Sequence, residues 1–109
     1  MKVVFYRDPN HELTGFTVSG HAGYAPYGQD IVCSAVSALT ENTVNSIEKF
    51  TDVKSRVKVD EDAGLLDYHL KGSSPEARLL MESLYLGLTA IQESYGEYLE
   101  LLEEDTGSC

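Results

Sequence analysis

The stretch Leu13-Thr14-Gly15-Phe16-Thr17-Val18-Ser19-Gly20-His21-Ala22-Gly23-Tyr24-Ala25-Pro26-Tyr27-Gly28-Gln29-Asp30-Ile31-Val32-Cys33 decides how this chain is read. Leu13 to Ser19 reads as a strand, and residues 20–28, with three glycines and a proline, read as a loop. From Ile31 the apolar positions fall at helical spacing: Ile31, Val32, Ala35, Leu39, Val44, Ile47 and Phe50. Asp30 is the natural N-cap of that helix. The passage therefore predicts a strand, a glycine-rich loop and a long amphipathic helix, with His21 at the end of the strand and Cys33 in the first helical turn. A thiol at a helix start, with an imidazole brought back towards it, is what thiolate nucleophilic catalysis requires.

Outward from that passage, Lys2 to Tyr6 is β-branched and aromatic, and Asp8-Pro9-Asn10 supplies turn chemistry, so the first two strands form a hairpin. Val53 to Val59 alternates with period two, Asp60-Glu61-Asp62-Ala63-Gly64 is a turn, and Leu65 to Leu70 is the partner strand. Ser73-Ser74-Pro75-Glu76 starts a second helix, with serine as N-cap and proline at the first helical position. Ala77, Leu80, Met81, Leu84, Leu88, Ile91, Tyr95, Leu99 and Leu102 continue it at three- and four-residue steps. No repeat or linker interrupts the order. The expectation is one α+β domain over residues 1–109, ββαββα, with a small sheet packed against two helices.

Composition bounds what such a domain does. At 109 residues it has room for one core without staples, and 42% apolar with 24% charged residues is ordinary for a globular chain. No secretory leader or run of about eighteen apolar residues occurs, so the cytoplasm is expected and a membrane partner is not. Cys33 and Cys109 make no disulfide framework, since a bridge would tie a helix start to a frayed tail. Net charge is −10, with no Lys or Arg after Arg78. That field repels nucleic acid and suits a basic partner. Lys54, Arg56 and Lys58 read as the solvent side of a strand, too few to bind nucleic acid directly.

An unperturbed cysteine with pKa about 8.5 is only about 3% thiolate at neutral pH. A helix dipole contributing ~0.3–1 kcal/mol shifts this by less than one unit, so an imidazolium partner is needed. Of three histidines, His11 falls in the first hairpin turn and His69 in a strand, leaving His21. The loop glycines would let an extended peptide approach closely, with Tyr24 and Tyr27 packing on its side chains. The residues alone leave other readings open: a buried small cysteine with a turn histidine, or a mobile surface loop. No metal-ligand spacing occurs, and a zinc set of His21, Cys33 and His69 has no support. No cofactor is called for.

The run Gly20-His21-Ala22, followed by Asp30-Ile31-Val32-Cys33-Ser34-Ala35-Val36-Ser37, closely resembles the signature of the Prp family, the ribosomal-processing cysteine proteases of Firmicutes and related bacteria. The resemblance spans essentially the whole chain. It implies a cytosolic, usually homodimeric endopeptidase that removes the N-terminal extension of the large-subunit ribosomal protein numbered twenty-seven. It also implies Cys33 as nucleophile and His21 as general base and acid. The family's flexible catalytic loop maps onto residues 22–29, and the expected substrate-binding set is Gly20, Ala22, Gly23, Tyr24, Tyr27, Gly28, Asp30 and Ser34. Ser34 stands where many relatives would carry alanine, and Pro26 would stiffen the loop; both bear on substrate fit. Asp30 is assigned to the cap rather than to orienting His21.

A non-catalytic acidic binding module acting in ribosome assembly is the alternative, and a redox sensor at Cys33 a third. The second helix carries more apolar residues than one face needs, namely Leu79, Tyr85, Leu86, Tyr98 and Leu101 besides the inward series. That surplus predicts a twofold dimer formed at least partly through this helix.

Overall fold

Phe5, Phe16 and Tyr68 form one row across the sheet, and burying that row organises the molecule. The computed structural model describes residues 1–20 and 27–106, with side chains in the first helix from residue 31 onward. His21 to Pro26 and Cys109 lie outside the described residues. The strands are β1 (Lys2–Arg7), β2 (Leu13–Ser19), β3 (Ser55–Asp60), β4 (Leu65–Leu70) and β5 (Glu100–Asp105), and the helices are α1 (Tyr27–Phe50) and α2 (Pro75–Tyr95). The sheet order is β3-β4-β2-β1-β5, antiparallel except for the parallel pair β1 and β5.

Register sets Phe5 opposite Phe16 and Phe16 opposite Tyr68, with Val3 opposite Val18 on the same face. All five are buried there beneath Val32, Val36 and Ile47 of α1 and Ala77, Met81, Leu84 and Leu88 of α2. The aromatic rings meet at 6.0 and 5.4 Å between centroids, tilted rather than stacked. The expected start of α2 holds: Ser74 is the N-cap, its hydroxyl accepts from the Ala77 N–H at 3.0 Å, and Pro75 opens the helix.

The expected α+β class and both hairpins hold; the third strand runs Ser55–Asp60 rather than Val53 to Val59, and two helix boundaries differ by more. The second helix stops at Tyr95, with Gly96 as C-cap, and Glu100–Asp105 is a fifth strand. Leu99 and Leu102 keep the helical spacing by coincidence. Pairing with β1 overrides the low strand preference of Glu-Leu-Leu-Glu-Glu-Asp. Arg7 at the end of β1 helps hold that acidic strand. It donates to Glu103 at 2.7 Å, lies 3.5 Å from Glu82 and sits over the Tyr85 ring. The first helix begins at Tyr27, about one turn earlier than expected, so Asp30 is its fourth residue and not its N-cap. A proline immediately before Tyr27 is compatible with that start, because first-turn N–H groups need no intrahelical partner.

The other face of the sheet carries a polar chain. Tyr6 Oη and Thr17 Oγ1 are 2.8 Å apart, Thr17 donates to Asp67 Oδ1 at 2.6 Å, and His69 Nε2 lies 2.9 Å from the same oxygen. The Tyr6 and His69 rings approach to 5.1 Å across the row that contains Gly15. A Cβ at Gly15 would meet Tyr68 O at 2.5 Å and His69 Nδ1 at 2.8 Å. Gly15→Ala is therefore expected to destabilise the protein by about 1–3 kcal/mol in urea unfolding. Gly72→Ala, whose Cβ would meet nothing nearer than 3.9 Å, should stay within about 0.5 kcal/mol. Equal midpoints for the two variants would refute the crowding argument.

Burial pushes the Asp67 carboxyl up, but the hydrogen bonds from Thr17 and His69 and the charges of His69 and Arg56 outweigh it and hold the group below its ordinary value. A folded pKa below the unfolded one gives stability that is present above about pH 3.9 and lost as pH falls through the depressed folded value. Asp67→Asn should lower stability at pH 7 by about 1–2 kcal/mol and flatten the acid limb of the stability curve. An unchanged acid limb would rule this contribution out.

Candidate active site

Cys33 owes its position to its neighbours. Val32 and Val36 are fully buried in the core, which leaves Cys33, between them on α1, half-buried at the margin of the helix pair. Counting in fours, Cys33, Ser37 and Glu41 lie on one stripe of α1, and this stripe walls a cavity of about 220 Å³. Val18 and Gly20 at the end of β2, with Val59 and Leu66 from the second hairpin, form the opposite side.

Gly20 has φ of 95°, a left-handed conformation that a residue with a Cβ rarely adopts. Among the described residues its Cβ would meet Met1 alone, Cα at 3.4 Å and N at 3.9 Å, both ordinary contacts, so the requirement there is conformational. The chain thus turns at Gly20, one residue before His21, on the same cavity that Cys33 lines. Glu41, Asp60 and Glu61 also line it, with no lysine or arginine among the described lining residues.

Of the expected site residues, Gly20 and Cys33 share this cavity. Ser34 is exposed on the next position of α1. Tyr27, Gly28 and Asp30, expected in the loop and at its cap, have their backbone in the first turn of α1. His21, Ala22, Gly23 and Tyr24 lie outside the described residues. Because α1 starts at Tyr27, Cys33 is its seventh residue. Its N–H then belongs to the helical ladder, and the unpaired N–H groups are those of the turn before it. The electrostatic effect of the helix dipole is concentrated in the first turn and is weaker at this position.

The structure separates the other histidines from the thiol. His69 points to the sheet face opposite the helices, bonded to Asp67. His11 is exposed in the β1–β2 turn, where its carbonyl accepts from Arg7. Cys33 and His69 therefore lie on opposite sides of the sheet. Sequence reasoning missed Ser37, Glu41, Asp60 and Glu61 as lining residues. The four-residue step from Cys33 was the available signal for the first two.

The cavity opens on both sides. Towards β3 it shares Glu41, Val59 and Leu66 with a more apolar cleft of about 320 Å³ that adds Val44, Asn45 and Val57. In the other direction it shares Met1 and Gly20 with a cleft of about 450 Å³ bordered by Lys2, Glu97 and Glu100. Cys33 thus lies in the middle of an open groove.

Residues 1–100 match the family described as cysteine protease Prp, and the chain belongs to that family. It is a peptide-bond hydrolase of the cysteine class. The ribosomal processing cysteine protease Prp of Bacillus subtilis is 30% identical over 100 residues, covering 87% of this chain and 89% of that protein. Among solved structures, the essential ribosomal processing protease Prp from S. aureus with a substrate peptide superposes with a TM-score of 0.89 at 26% identity, covering 94% of this chain and 98% of the other. The same S. aureus protease with a covalently linked product peptide gives a TM-score of 0.85 at 27% identity and the same coverage.

Proposed function

We propose that this protein is the endopeptidase that removes the N-terminal extension of the bacterial large-subunit ribosomal protein numbered twenty-seven, with Cys33 as nucleophile and His21 as its base and acid. The observation that carries this reading is that Gly20, the residue before His21, turns on the cavity that Cys33 lines. The covalently linked peptide on the S. aureus relative accords with a thiol that bonds to its substrate. A basic ribosomal N-terminus suits the carboxylates of Glu41, Asp60 and Glu61 around the thiol.

His21 takes the Cys33 proton, and Sγ forms a bond to the scissile carbonyl carbon. The imidazolium then gives that proton to the leaving amine as the C–N bond breaks. Water, deprotonated by His21, attacks the thioester; the C–S bond breaks, the proton held by His21 returns to the sulfur, and the carboxylic acid released ionises to solvent. No metal or cofactor enters any step.

Cys33→Ala and His21→Ala are each expected to lower cleavage by on the order of 10³-fold or more while circular dichroism matches wild type. Cys33→Ser should be nearly as inactive, because a hydroxyl lacks the acidity of a thiol. Mass spectrometry of the ribosomal protein after incubation reads the result; turnover like wild type in either alanine variant would remove the dyad.

The protein acts in the cytoplasm as a homodimer in this reading. Of the five surplus apolar residues expected to mediate it, Tyr85, Tyr98 and Leu101 pack against the chain's own core. Leu79 and Leu86, seven residues apart on α2, are 70% and 71% exposed and are the remaining candidates for the contact. Sedimentation equilibrium at micromolar concentration should give twice 12.0 kDa, and Leu79→Glu with Leu86→Glu should return it to 12.0 kDa. A wild-type mass of 12.0 kDa would refute the dimer.

A further inference from the structure

The helix pair leaves one strand uncovered. Val57 and Val59 of β3 pair with Tyr68 and Leu66, so their side chains lie on the helix side of the sheet. They are nevertheless 47% and 59% exposed. Between them and α1 runs a trench: the cavity at Cys33 passes through Glu41 and Val59 into the apolar cleft. That cleft passes through Val57 into a third cavity bordered by Glu48 and Ser55. Its helical wall is a single stripe, Cys33, Ser37, Glu41, Val44 and Glu48. The sixteen helical residues from Cys33 to Glu48 and the six of β3 both span roughly 20 Å, so the trench has the length of a short strand.

The backbone of β3 offers that trench a partner. The Lys71 N–H donates to the Lys54 carbonyl at 2.7 Å, which makes those two residues a hydrogen-bonded pair. By antiparallel alternation Arg56, Lys58 and Asp60 also turn their main-chain groups to β4. Ser55, Val57 and Val59 then turn theirs to the open side, where β3 is the edge of the sheet.

We propose that the substrate chain, on one side of the bond to be cut, adds to the open edge of β3 as an extended sixth strand, with alternate side chains entering the trench over Val57 and Val59. The inference rests on the protease reading above. The occupant is argued from continuity: the trench ends at the proposed nucleophile, and the carboxylates at that end match a basic peptide. Strand addition supplies affinity that tolerates varied side chains, while the apolar trench selects every second one.

The test is an N-methyl scan of a synthetic peptide spanning the N-terminal extension of that ribosomal protein, using full-length protein. Methylation blocks one backbone donor at a time. On one side of the cut, kcat/KM should fall at least tenfold at alternate positions, with the positions between them within about threefold of the unmodified peptide. Val57→Pro, which removes an outward N–H and no ladder bond, should raise KM about tenfold with little change in kcat. Val57→Ala, which keeps the N–H, should raise it less. Circular dichroism and the thermal midpoint identify a Val57→Pro protein that fails to fold, and in that event the scan alone decides. A flat scan, or losses without alternation, overturns strand addition while leaving the protease reading intact. Failure of wild type to cut the unmodified peptide overturns both.

Discussion

Burying Phe5, Phe16 and Tyr68 beneath two helices is the constraint on which the rest of the structure depends. Two helices side by side, about 10 Å apart, cover about four strands spaced at ~4.8 Å. This sheet has five. The core claims the central strands, the far edge is held through Leu101 and Arg7, and β3 is left uncovered. The groove beside Cys33 is thus a remainder of packing. The same burial of Val32 and Val36 that anchors α1 sets the thiol at the border between core and groove. No separate device is needed to expose it.

Much of this was legible in the sequence because it is local. The period-two runs of both hairpins, the serine cap before Pro75 and the helical spacing after Ile31 each state their structure within a few residues. The fifth strand was not legible, since Glu100 to Asp105 becomes a strand only by lying beside β1, and nothing in its composition asks for one. The early start of α1 escaped for the opposite reason: Asp30 is a good cap, yet it also suits the first turn of a helix, where a negative charge meets the positive end of the dipole. For the site, the motif around Cys33 pointed to the chemistry, whereas Glu41, Asp60 and Glu61 come together through tertiary packing. Local pattern cannot report it.

The surplus apolar residues of α2 show the same division. Tyr85 is taken up by Phe5, at 5.1 Å between ring centroids, and by the Arg7 guanidinium above it. Tyr98 and Leu101 fall beyond the helix and reach the core from the segment leading into β5 and from β5 itself. A count of apolar positions overstated the exposed surface because it assumed a helix that ran on to Leu102. What remains is narrow: Leu79 and Leu86 one above the other on the outside of α2.

The parallel pairing of β1 with β5 has a consequence for how the molecule comes into being. Lys2 registers with Glu100, and Met1 accepts the Glu100 N–H through its carbonyl. These contacts join positions about a hundred residues apart, and closing so long a loop is slow to be rewarded. At ~5–20 residues per second, the first strand leaves a ribosome roughly 5–20 s before its last neighbour is made. Met1 and Gly20 also border the thiol cavity, so one wall of the groove beside Cys33 is completed only after β5 has docked. During synthesis the groove waits until residues 100–105 have been made and paired with β1.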